Sequence, residues 1–79
     1  MNIRTMHTFC DVVETGSFSA AAEANAVTQS AVSQQVARLE QEMDTRLLTR
    51  AGGFVSLTDA GKAFYHGAKE ICRRYDEML

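Results

Sequence analysis

Between Phe18 and Leu39 the chain reads FSAAAEANAVTQSAVSQQVARL, two helical patterns of small residues separated by a polar break. Small side chains let neighbouring helices approach closely, and the brevity of the break makes the two meet across a very short turn. Placed on a helix at about 100° per residue, Val32, Val36, Leu39 and Met43 fall on one side. Ser30, Ser33, Gln34, Ala37, Arg38 and Gln41 fall on the other. The aliphatic side is a packing face. The opposite side lacks the Lys and Glu that usually keep a helix surface soluble and is built instead from Ser and Gln. Gln presents a donor and an acceptor together and Ser can do either, a set that suits base edges in a major groove.

A chain of 79 residues supports one small domain that buries a modest share of its surface, so an oligomeric partner is expected to add stability. The absence of Pro, the five Gly and the frequent Ala favour a mainly helical globule. The N-terminus has no charged stretch leading into an apolar one, and no run approaches the roughly 18 apolar residues that span a bilayer. A cytoplasmic protein without a membrane partner is expected. Cys10 and Cys72 are too few and too far apart for a disulfide framework or a metal site, and both read as small buried hydrophobes. His7 beside Cys10 offers two ligands where about four are needed, so no metal and no cofactor is expected.

The formal charge of −2 runs against polyanion binding by bulk attraction, because nonspecific DNA affinity comes from Lys and Arg displacing counterions. The distribution is kinder. Asp11, Glu14, Glu23, Glu40, Glu42 and Asp44 all avoid the stretch from Ala24 to Ala37, which carries no charge. With only Arg4, Arg38, Arg46 and Arg50 basic before Lys62, a monomer should bind weakly and depend on dimerisation.

Ile3, Met6, Phe9, Cys10 and Val13 repeat at helical spacing behind a capping Asn2 and ahead of Gly16, which predicts a first helix over about residues 3–14. Ser17 caps a second helix with Phe18, Ala21 and Ala22 inward, ending at Asn25, and Thr28 caps a third from Gln29 to about Met43. Leu47–Arg50 and Phe54–Leu57 flank Ala51, Gly52 and Gly53, the pattern of a two-stranded hairpin or wing. Thr58 caps a last helix whose apolar stripe, Phe64, Ala68, Ile71, Tyr75 and Met78, is longer than so small a core can cover. Core burial explains Phe64 equally well, whereas Ile71, Tyr75, Met78 and Leu79 fit a dimer seam better.

These stretches, FCDVVETGSFSAAAEA, TQSAVSQQVARLEQEM, RLLTR and VSLTDAGKAF, resemble the N-terminal DNA-binding domain of the LysR-type transcriptional regulators over nearly the whole chain. The resemblance implies a mainly α, winged helix-turn-helix fold: a three-helix core and two-stranded wing in residues 1–58, with the helix-turn-helix at about 18–37. A linker or dimerisation helix then occupies residues 59–79. It implies base reading by Gln29, Ser30, Ser33 and Gln34, phosphate contacts by Thr28 and Arg38, and an Arg50 that supports or extends the wing. It also implies a homodimer on double-stranded DNA, joined through the last helix and reading an inverted repeat. The family commonly has Leu at Asn25, Gly at Asp44, Phe at Leu48 and basic residues at Gly53 and Ser56, so packing of the second helix should be weakened and the wing tip is bare of charge. Its members continue into a domain that senses a small molecule, so any effector would act outside these residues of a longer chain. The alternative from another class is a winged-helix protein-interaction module without DNA binding, favoured by the acidic balance and the bare wing. No nucleophile elbow, phosphate loop or metal spacing organises the Ser, His and Asp residues, and no enzyme is expected.

Overall fold

Asn2, Ser17, Thr28 and Thr58 each lend a side-chain oxygen to a backbone N–H three residues on, at 2.9 to 3.0 Å, and so set where four helices begin. The computed structural model describes residues 1–51 and 53–79. Helices α1 (Ile3–Thr15), α2 (Phe18–Ala24) and α3 (Gln29–Met43) are followed by strands β1 (Leu48–Ala51) and β2 (Phe54–Leu57) and by helix α4 (Asp59–Met78). The strands pair antiparallel, with Leu48 opposite Leu57 and Ala51 opposite Phe54. Gly52, expected in the wing turn, lies outside the described residues. No described helix is long and apolar enough to cross a membrane.

Chain reversals use left-handed backbone. Gly16 ends α1 at φ 68°, where a glycine is free to go, and its N–H closes on Val12 O at 2.9 Å. Asp44 ends α3 in the same region, at φ 53°, without a glycine's freedom. Ala26, in the α2 to α3 turn, is also left-handed, at φ 54°, and the turn is held by Val27 N–H returning to Ala22 O at 3.0 Å. That position has no turn-forming residue type to announce it in the sequence.

The three helices and the base of the wing enclose one core: Phe9 and Val12 from α1, Phe18, Ala21 and Ala22 from α2, Val32, Val36 and Leu39 from α3, with Leu47 and Leu48. Met43, expected on this packing face, is instead 42% exposed, because the core ends one turn earlier at Leu39 and α3 runs past it. Asn25 does not leave a gap where an aliphatic residue was expected. Its Nδ2 donates to Asp11 Oδ2 and to Ala21 O, both at 2.8 Å, so α2 is tied to α1 by hydrogen bonds.

Leu47 was expected in the first strand but stands just before it, because its backbone is engaged elsewhere. Its N–H donates to Glu40 Oε2 at 2.7 Å and its carbonyl accepts Thr58 N–H at 3.0 Å. The first turn of α4 crosses this point so closely that a Cβ at Gly61 would collide with Leu47 O. Gly61 is therefore required by contact between two backbones, while Gly67, further along α4, has open space around its Cα. Gly61→Ala is expected to lower stability by about 2 kcal/mol or more through overpacking. Gly67→Ala should raise it by up to about 1 kcal/mol through helix propensity. Urea denaturation of the two variants checks this, and equal effects would contradict the close crossing.

Candidate nucleic-acid interface

Burial of Val32, Val36 and Leu39 fixes the rotation of α3, and the other side of the helix is thereby turned to solvent. Gln29, Ser30, Gln34 and Arg38 are exposed there, and Ser33 is half-buried where the wing approaches. Thr28 serves as cap: its Oγ1 accepts Ala31 N–H, which leaves the hydroxyl proton available at the amino end of a 15-residue helix, where the backbone dipole favours anions. The structure brings the first two turns of α3 into one exposed, uncharged surface.

The side chains on this surface are held by one another. Gln34 Nε2 donates to Ser30 Oγ at 3.3 Å, and Ser19 Oγ, from α2, donates to Gln29 Oε1 at 2.8 Å. Arg50 folds back from β1, with its guanidinium 3.6 Å above the ring of Phe18 and Nη2 3.4 Å from Ser33 Oγ. It therefore braces the wing against the helix-turn-helix and does not extend the hairpin tip, which is uncharged and carries an exposed Phe54 beside Gly53.

Electrostatics sharpen the picture. Among the described residues, Lys69 pairs with Glu14, Arg46 with Glu40, Arg73 with Glu70 and Glu77, and Arg74 with Glu70. Arg4, Arg38, Arg50 and Lys62 make no ion pair among those residues, and two of these four border the α3 surface. Glu14 also accepts the Tyr65 hydroxyl at 2.8 Å, and the Lys69 ammonium together with that hydroxyl holds its carboxyl below the usual range. This knot joins α1 to α4, away from α3. Cys10 and Cys72 lie buried between the same two helices as free thiols. Burial pushes the Cys10 thiol up to about 12 and raises Cys72 as well, so both stay protonated and act as packing.

The apolar stripe of α4 is divided. Phe64 meets Phe9 edge to face at 5.2 Å, and Ala68 is 3% exposed against α1. Ala68 has no surface left for a partner helix, which corrects its place in the expected seam, and Phe64 is partly buried against the core. The covered side is centred on Gly61, Ala68 and Cys72, while Ile71 and Met78 sit at the opposite edge of the stripe and remain exposed. Tyr75 is partly exposed and lies edge-on to His7 at 6.3 Å.

Two contributors escaped the sequence reading. Ser19 joins the α3 surface from another helix, and Glu40 anchors the wing by accepting Leu47 N–H and Leu48 N–H on one carboxylate oxygen, at 2.7 and 3.1 Å. Neither has a local signal, since each depends on elements that approach only in the fold.

The model of the bacterial regulatory helix-turn-helix proteins of the lysR family matches residues 3–62. The nitrogen assimilation regulatory protein nac of Klebsiella aerogenes is 44% identical over 77 residues, which cover 98% of this chain and 25% of that protein. Among solved structures, BenM_DBD in complex with catB site 1 DNA superposes with a TM-score of 0.93 at 35% identity, covering 99% of this chain and 88% of that one. The CbnR_DBD–DNA complex gives a TM-score of 0.90 at 32% identity, covering 99% and 90%. The chain spans about a quarter of the length of the nac proteins it matches and about half of one shorter relative.

If Glu40 positions the wing as described, Glu40→Ala leaves two partly buried N–H groups unsatisfied and should cost about 2 to 3 kcal/mol in urea denaturation. A loss below about 0.5 kcal/mol, the size of an ordinary surface substitution, would contradict that role.

Proposed function

The chain belongs to the lysR family of bacterial regulatory helix-turn-helix proteins, and from that premise we propose that it binds double-stranded DNA sequence-specifically as the DNA-binding part of a transcriptional regulator. The observation that carries this reading is the exposed surface of Gln29, Ser30, Ser33 and Gln34 at the amino end of α3, free of carboxylates and bordered by Arg38 and Arg50. The recognition helix of a helix-turn-helix reads bases through its first turns, and this is where the hydrogen-bonding side chains are concentrated. Thr28 and Arg38 would hold phosphates on either side. The likeness to two domains solved with DNA supports the same docking.

The competing reading, a winged-helix module for protein partners, lacks the large apolar or aromatic anchors such a surface needs on α3. In the proposed assembly two copies join through α4, with Ile71, Tyr75, Met78 and Leu79 as the unspent part of the stripe, and so present two α3 helices to an inverted repeat. The weak positive charge makes such pairing important for affinity. A cytoplasmic location, no catalysis by these residues, and effector sensing outside them complete the proposal.

Gln29→Ala and Gln34→Ala should each relax preference at the base pair they read by about 1 to 3 kcal/mol. Arg38→Ala should weaken binding to all sequences and lower the salt slope by about 1. Selection of bound sites from random duplexes, followed by titration of the recovered site at several salt concentrations, checks both. Unchanged preference in both glutamine variants would contradict reading by α3.

A further inference from the structure

Ser19 stands outside the recognition helix, on the second residue of α2, yet its hydroxyl is 2.8 Å from Oε1 of Gln29. An exposed glutamine has a long, mobile side chain whose amide can turn either its oxygen or its nitrogen outward, and ordering it costs entropy at the moment of binding. Here the oxygen is already engaged across the helix-turn-helix turn, and Nε2 makes no hydrogen bond among the described residues. The Gln34 amide is held the opposite way: its nitrogen donates to Ser30 Oγ and its oxygen is left without a donor among those residues. The two glutamines thus offer different groups to a ligand.

We infer that Ser19 is a specificity-determining positioning residue: by donating its hydroxyl to Oε1 of Gln29, it turns Nε2 outward so that Gln29 reads a base as a donor. This rests on the proposed reading of DNA by α3 and deepens it. The base faced by Gln29 must then offer an acceptor in the major groove, such as N7 or O6 of guanine or O4 of thymine. Ser19 need not touch DNA to do this. Its effect is confined to one base pair per half-site, whereas damage to the fold would depress preference at all positions together.

The test is selection from random duplexes, followed by affinity measurements on single-base variants of the recovered site, with the whole chain and the variants Ser19→Ala, Ser19→Thr, Gln29→Ala and Gln29→Glu. Gln29→Ala identifies the base pair in question. Ser19→Ala should reduce preference at that same pair by about threefold to tenfold, the worth of one aligning hydrogen bond, and leave preference at the other pairs as it was. Ser19→Thr keeps the hydroxyl and should restore it. Gln29→Glu keeps the acceptor but has no donor, so it should lose the original base at that position. If Gln29→Ala moves one pair and Ser19→Ala moves none, or moves all alike, the inference falls and the reading by α3 stands. If Gln29→Glu retains the original base, the donor assignment is overturned. If Gln29→Ala moves no pair, the proposed reading by Gln29 fails with it.

Discussion

The aliphatic side of α3 is the constraint from which the remaining geometry follows. Val32, Val36 and Leu39 are all but inaccessible to solvent, and removing one large aliphatic group from such a core costs a few kcal/mol, a large part of the stability of a small domain. The helix therefore cannot roll about its axis. Whatever lies a half-turn away from those residues is held outward with the rigidity of the core itself, so Gln29, Ser30 and Gln34 stand on a fixed support.

The wing is tied to that support by polar contacts as well as by the burial of Leu47 and Leu48 at its base. A single carboxylate on Glu40 gathers two N–H groups at the start of β1, the carbonyl of Leu47 takes the N–H of Thr58, and the close passage of Gly61 locks the start of α4 over the same residue. Arg50 completes the tie by lying on Phe18 and reaching Ser33. The consequence is a wing whose Arg50 is turned toward α3, with an uncharged tip. In the proposed dimer, affinity would lean on α3 and on duplication of the site more than on the charge of the hairpin.

Much of this was legible in the sequence where the cause is local. The four caps, Gly16, the sidedness of α3 and the hairpin are each decided within a few residues, and their side-chain types announce them. The α4 stripe was legible only as a stripe. Its spacing places Phe64, Ala68, Ile71, Tyr75 and Met78 on one broad face, but which edge α1 covers depends on how the two helices meet, which no local pattern records. Met43 was misplaced because periodicity does not say where a core ends. Asn25 reads as a lost aliphatic contact until Asp11 is seen beside it, and Ser19 reads as one more small residue until α3 arrives 2.8 Å away. Contacts between distant parts of the chain carried the information that local patterns lacked.

In the proposed complex one helix divides its residues between a fixed aliphatic floor and an outward polar face that meets the bases. Nuclear magnetic resonance titration of the chain with its selected duplex tests it directly, because side-chain amides and methyl groups report separately. The account predicts that the NH2 resonances of Gln29 and Gln34 shift or broaden as the duplex is added, while the methyls of Val32, Val36 and Leu39 hold their positions. Saturation of the chain by the duplex with both glutamine amides unmoved would contradict it.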